Sequence, residues 1–285
     1  MRRFTLFYGW YIVGACLLIA LYTNGVTHLG FTAVFEPIAA EFGWSYAQIS
    51  LAASLQCFEL GLLSPIVGII VDRWGPRRLI FTGSILICMG LILLSRVTSL
   101  AMFYGVIILI SIGMSTCMPT VLMAAVGNWF RRKFGIAMGI VACGFGLAGI
   151  LVPVMTVLID ALQWRMAIFT VGLGMLVIVL PLSLLVRHKP EHYGYHPDGD
   201  TEDSVVEISG SNIATASADI SISAKQAVSS RTFWNIALAT MCHAFVTSAV
   251  TLHIMPYLSS LGIARSVSSM IALALIGCKY IRASW

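Results

Sequence analysis

The sequence predicts an all-α integral membrane protein, and three observations carry that prediction. Eight apolar stretches are each long enough to cross a bilayer, which takes about 20 mainly apolar helical residues. The chain is 59% hydrophobic and only 10% charged, against the roughly 25% charged of a soluble domain. The runs also lack the two-residue alternation of a membrane strand, and in lipid only helices and closed barrels satisfy every backbone group.

The first predicted span covers residues 8 to 35. Met1-Arg2-Arg3 and the run behind it resemble a secretion signal. The apolar part exceeds the 7–15 residues of a signal core and a second span follows at once, so a retained anchor is predicted. Spans at 46 to 71, 79 to 95, 99 to 127, 135 to 159 and 165 to 187 follow over short connections. Residues 188 to 231 then break the pattern. Their middle, 200 to 223, is rich in Ser, Asp, Thr and Ala without periodicity, as in a flexible linker, and 224 to 231 reads as a short surface helix. The seventh span is predicted at 232 to 258 and the eighth from 265 to the end. The chain thus divides into a six-helix bundle (1–187), a linker (188–231) and the start of a second bundle (232–285), namely helix 7 and an incomplete helix 8.

Loop charges set the predicted orientation. With the N-terminus in the cytoplasm, that side collects Arg2, Arg3, Arg73, Arg77, Arg78, Arg131, Arg132, Lys133, Arg187, Lys189, Lys225 and Arg231. The other side holds Arg96, Arg165 and Arg265, while Lys279 and Arg282 fall in or at the end of the eighth span. The net charge of +5 is therefore juxtamembrane and gives no reason to expect a nucleic-acid partner. The partner expected from composition is the lipid bilayer. All seven cysteines fall inside predicted spans with no metal-ligand spacing, so neither disulfides, metal nor another cofactor is predicted. GxSxG and P-loop patterns are absent, and no enzyme is expected.

Polar groups inside spans are costly and are candidates for function. Tyr22-Thr23-Asn24-Gly25-Val26-Thr27-His28 interrupts the first span near its middle. Asn24 and His28 either line a substrate cavity or make helix-helix hydrogen bonds. Glu59 is the one carboxylate well inside a span. It is either a proton-coupling group, since a membrane carboxylic acid can exchange a proton near physiological pH, or a neutral packing acid. His243 and His253 are ten positions apart in the seventh span, almost three turns, on nearly one face, which allows a cavity pair. Gly135, Gly139, Gly144, Gly146 and Gly149 read as close-packing positions of the fifth span.

Between the second and third spans stands Gly68-Ile69-Ile70-Val71-Asp72-Arg73-Trp74-Gly75-Pro76-Arg77-Arg78. With six spans and a long linker before it resumes, this GxxxDRxGxRR loop resembles the signature of the major facilitator superfamily of secondary transporters. The resemblance implies two six-helix halves rocking about a midplane site. It also implies a conformational-switch loop of Gly68, Asp72, Arg73, Gly75, Arg77 and Arg78, with Gly68 admitting a neighbouring helix and the arginines pairing with acids across the bundle. Pro76 stands where the family often has a basic residue.

Finer pieces resemble bacterial members of the monocarboxylate-porter and oxalate/formate-antiporter branches. These are Tyr8-Gly9-Trp10, Glu41-Phe42-Gly43-Trp44-Ser45, Asn128-Trp129-Phe130-Arg131-Arg132, Pro190-Glu191-His192-Tyr193-Gly194 and His253-Ile254-Met255-Pro256-Tyr257-Leu258. The resemblance implies proton symport or exchange of small organic anions across a bacterial inner membrane. A multidrug exporter is the alternative, disfavoured because residues 99 to 127 hold no arginine and the fifth span no Gly-Pro pair. A non-transporting membrane protein that binds a partner is the third reading. The family's twelve spans make this chain, ending in its eighth with Cys278-Lys279-Tyr280-Ile281-Arg282, read as truncated and inactive by itself. One inserted base accounts for the tail, since suitable codons for residues 277 to 284 less one base read Gly-Ala-Ser-Ile-Leu-Gly-Arg.

Overall fold

The structure, a computed structural model, describes residues 7–187 and 229–260. It is helical throughout, with no strand among the described residues. Two compact units are present, the described residues to Arg187 in one and those from Ser229 in the other. The predicted surface helix at 224 to 231 and the eighth span lie largely or wholly outside the described residues.

In the first unit α1 (Tyr8–Thr23), a π-helical turn (Asn24–Leu29) and α2 (Gly30–Phe42) run on as one helix, of which Tyr8–Phe35 is the membrane-length part, with the bounds predicted for the first span. Gly43, at φ 66°, ends it in the left-handed conformation that glycine adopts without strain. Ser45 then starts α3 (Tyr46–Trp74) with a capping box, its hydroxyl accepting from the Gln48 N–H while the Gln48 side chain accepts from the Ser45 N–H. Gly75 alone separates α3 from α4 (Pro76–Leu94), serving as C-cap of one and N-cap of the other at φ 80°. A side chain is strained there, and Pro76 at the first helical position has no N–H to leave unpaired.

The fourth span, predicted as one run, is broken. α5 (Leu100–Ser115) and α6 (Pro119–Gly127) are separated by a turn at 116–118, because the Pro119 ring would clash inside a continuous helix and forces Met118 into an extended conformation. The fifth and sixth spans are helical from Phe134 to Leu185: α7 (Phe134–Leu147), a 3-10 turn (Ala148–Ile150), α8 (Leu151–Gly174), a π turn (Met175–Val179) and α9 (Leu180–Leu185). Gln163, at φ 65° and ψ 154°, interrupts α8.

The contacts show that Gln163 is a reversal. A Cβ on Gly144 would meet the Leu17 carbonyl, one on Gly25 would meet Leu151, and one on Gly30 would meet Met155. The first span therefore runs parallel to the chain before Gln163. Beyond it the order inverts, with Tyr22 bonded to Val171 and Tyr8 to Leu185. Six spans result, as the sequence predicts. Gln163 is the sole non-glycine residue at positive φ among those described, in a region nearly reserved for glycine that costs about 1–3 kcal/mol. Gln163→Gly is expected to raise the stability of the detergent-solubilised protein by about 1 kcal/mol after glycine's own entropy cost, read as a higher melting temperature with an unchanged elution volume.

Alternation of the spans gathers Arg73, Arg77, Arg78, Arg131, Arg132, Lys133 and Arg187 at one end of the unit and Arg96 and Arg165 at the other. The core between them is apolar, with Ile12, Ile19, Ile80, Ile87, Phe103 and Leu122 fully buried. α3 is the exception: Phe58, Leu62 and Ile69 on it are each at least 60% exposed. In the second unit α10 (Arg231–Ser260) is one helix of 30 residues, starting one residue before and ending two after the predicted span.

Candidate functional site

The polar run of the first span forms the π turn, where one extra residue per turn widens the helix. Two side chains from this region reach other helices. Asn24 Nδ2 donates to the Phe145 carbonyl at 3.3 Å, and the Tyr22 hydroxyl to the Val171 carbonyl at 2.9 Å. Both receiving helices depart from α geometry just beyond, at Ala148–Ile150 and at Met175–Val179, as helices do where a side chain engages their carbonyls. Thr27 instead returns its hydroxyl to the Thr23 carbonyl at 2.6 Å. Asn24 thus makes a helix-helix hydrogen bond, whereas His28, on the same turn, is exposed. Val26 and Thr27 border a cavity of about 20 Å³ that Gln56 and Met155 also line, room for a single water and not for a substrate.

Glu59 lies midway along α3, half-buried, with Oε2 shielded from solvent and without a hydrogen-bond partner among the described residues. Ser111 of α5 stands beside it. One turn earlier, Gln56 donates to the Met114 sulfur at 3.0 Å. Among the described residues no hydrogen bond joins Glu59 to Asn24 or His28. In the second unit His243 is exposed, and the side chain of His253 lies outside the described residues. Ten residues of uninterrupted helix are about 2.8 turns, leaving these two roughly 80° apart around the axis.

The signature loop differs from expectation at Gly68. Nothing lies within 4 Å of a Cβ placed there, or at Gly61 seven residues earlier on the same face, so no described residue makes the close approach expected at Gly68. Asp72, Arg73 and Arg78 are exposed and Arg77 half-buried. None of the four forms an ion pair among the described residues, where the pair present joins Glu41 and Arg165. The expected pairing of these arginines across the bundle is thus not made by described residues. Gly75 contributes through its backbone, whose positive φ joins α3 to α4.

Glu41 and Arg165 were not singled out as partners in the sequence, although both stand beside spans at the same predicted membrane face. Arg165 donates to Glu41 Oε1 from Nε and Nη2 at 3.1 and 2.8 Å, and to the Ser95 and Val97 carbonyls at 2.9 and 3.0 Å. Its guanidinium also lies over the Trp164 and Phe42 rings, 4.7 and 5.5 Å from their centroids, while the Trp164 indole N–H donates to Glu41 Oε2. The Arg165 bonds hold the Glu41 carboxyl below its usual value, against the opposing effect of burial and with help from Trp164. One cation thereby ties together three connections between spans.

The basic end is closed by aromatic rings. Phe130 packs so closely on Gly9 that a Cβ there would lie 2.8 Å from its ring. Trp10 and Phe7 stack edge-on to Phe130, Trp129 donates to the Arg187 carbonyl at 3.1 Å, and Arg187 sits 4.2 Å from the Tyr8 ring centroid. Tyr8-Gly9-Trp10 and Asn128-Trp129-Phe130, separate in sequence, are two halves of one packing cluster.

Six membrane-length helical spans, with Asn24, Gln56 and Glu59 set into the middle of the first two, define a multi-pass integral membrane protein. The profile of the Major Facilitator Superfamily matches residues 11–282, and the chain belongs to that family. It is 36% identical over 154 residues to the fujikurins efflux protein of Gibberella fujikuroi, covering 52% of this chain and 32% of that protein. It is 31% identical over 167 residues to human monocarboxylate transporter 12, covering 58% of this chain and 32% of the relative. The matched stretch thus spans about a third of these relatives. In structure it resembles a bacterial homologue of the human lysosomal transporter Spinster in an inward-facing, unoccupied conformation, with a TM-score of 0.64 over 96% of this chain and 60% of the other at 18% identity, a likeness of fold.

Proposed function

We propose that the chain supplies one six-helix wall, and the start of the facing half, of a secondary transporter for small organic anions of the monocarboxylate type. It works by proton symport or anion exchange in a bacterial inner membrane with its N-terminus cytoplasmic. The observation that carries this reading is Glu59, a carboxylate midway along α3 whose Oε2 is shielded and has no hydrogen-bond partner among the described residues, because that oxygen can take up a proton without breaking an existing bond. His28, exposed on the π turn, is the cavity candidate of the first unit, and His243 and His253 are the candidates of the seventh span. Asn24 holds the wall in shape. The basic loop of Asp72, Arg73, Gly75, Arg77 and Arg78 makes and breaks contacts as the halves rock. The likeness to monocarboxylate transporter 12 supports the substrate class.

An exporter is the second reading, favoured by the likeness to an efflux protein. Uptake of radiolabelled lactate, formate and oxalate into vesicles containing the transporter with its second half restored separates the two. The organic-anion reading expects accumulation of at least one of them, abolished by a protonophore or dependent on a trapped counter-anion. With symport, Glu59→Gln is expected to abolish proton-driven accumulation while leaving exchange of labelled for unlabelled substrate. Extrusion of unrelated hydrophobic compounds without anion uptake would instead support the exporter, and folded protein that moves neither would support a non-transporting role.

A further inference from the structure

We propose that the groove between α4 and α9 at the basic end binds one anionic phospholipid of the surrounding leaflet, its phosphate held by Arg77 and Arg78. The head of the groove is a cleft lined by Trp74, Arg77, Arg78, Phe81, Thr82 and Leu184, contributed by the end of α3, the first turns of α4 and the end of α9. The Thr82 hydroxyl is already engaged with the Arg78 and Leu79 carbonyls, so the charged donors left for a ligand are the two guanidinium groups. These forks match the oxygen geometry of a phosphate.

Beyond the head the groove turns apolar. Ile85, Met89 and Leu93 are exposed on α4 and continue from Arg78 and Thr82 in three- and four-residue steps, hence along one face. Across from them Leu184, Val177 and Leu173 are exposed along the sixth span, which packs on α4 where Gly172 meets Leu91. From Arg78 to Leu93 the stripe runs roughly 22 Å, more than the ~15 Å of hydrocarbon in one leaflet. Trp74, exposed beside the arginines, has the ring chemistry of the headgroup level. A cationic choline headgroup would bring its charge against two arginines, whereas phosphatidylglycerol brings none, and basic clefts between membrane helices select anionic headgroups.

Native mass spectrometry of the protein in mild detergent, given equal dioleoyl phosphatidylglycerol and dioleoyl phosphatidylcholine, tests this. The wild type is expected to retain one phosphatidylglycerol with a preference of about 30-fold, from the combined charge of two arginines. Arg77→Gln with Arg78→Gln should bring the two lipids near parity. Thr82→Trp, which keeps both charges and fills the groove, should also lose the bound lipid, whereas Arg131→Gln with Arg132→Gln should keep it. Equal retention of the two lipids by wild type would overturn the proposal. So would equal loss in the Arg131 and Arg132 variant, which would mean diffuse surface charge, or full displacement by inorganic phosphate, which would mean a free-anion site. If the Arg77 and Arg78 variant fails to fold, wild-type competition and Thr82→Trp decide.

Discussion

Gly144→Leu is expected to abolish folding of the six-span unit, while Gly135→Leu in the same helix leaves it intact. A Cβ at Gly144 would lie 2.5 Å from the Leu17 carbonyl oxygen, whereas nothing lies within 4 Å of one at Gly135. The obstacle at Gly144 is backbone, which cannot rotate away as a side chain can. Even Gly144→Ala must push the first span outward, for about 3 kcal/mol. Leucine adds three more carbons and removes the alignment of Asn24 with the Phe145 carbonyl and of Gly25 with Leu151. Fluorescence-detected size exclusion of tagged protein reads the result. A sharp peak for Gly135→Leu and aggregate for Gly144→Leu is the expected pair, and two sharp peaks would mean that the two spans do not approach so closely.

Arg165→Ala is expected to lower stability by about 3 kcal/mol. Ser95 and Val97 are buried, so their carbonyls lose charge-assisted bonds with little access to replacement water. Trp164 and Glu41 lose the cation between them. Arg165→Lys should rescue only part, because an ammonium cannot fork to a carboxylate and two carbonyls together. Hydrogen exchange should quicken at the turns around 95–99 and 163–165 before any change at the basic end. The ion pair's share depends on pH in a fixed direction. Glu41 has a folded-state pKa below its unfolded one, so its stabilising contribution is present at neutral pH and is lost as pH falls through the folded-state value, below the ordinary 4.5. A melting temperature that drops on acidification in wild type, but by less in Glu41→Gln, is the expected signature.

Both predictions concern features that sequence reasoning left unresolved, and the reasons are geometric. The spans were legible because apolar run length fixes a membrane helix almost alone, and the polar interruption at residues 22–28 marked the π turn's position. Its nature was not legible, since a π turn and an α-turn of the same residues carry the same composition. Gly135 and Gly144 look alike in a glycine-rich run, yet nine residues place them about half a turn apart, and only the rotation of the helix tells which one faces a neighbour. Gly68 shows the same dependence on rotation, since its face meets no described residue. The break before Pro119 carried a sequence signal, a proline within a long apolar run. The strain at Gln163 carried none, because the residue there is not one that ordinarily accepts positive φ. Glu41 and Arg165 were each visible as an end-of-span charge, but their pairing depends on which connections the bundle brings together.

Gly75 has a further consequence for motion. A loop of several residues would let α3 tilt while α4 stayed still, its dihedrals absorbing the difference. One residue held at φ 80° between a helix end and Pro76 offers no such slack. The two helices behave as the arms of a bell crank, and a tilt of the exposed α3 face must reappear as a swing of α4 against the spans it packs on.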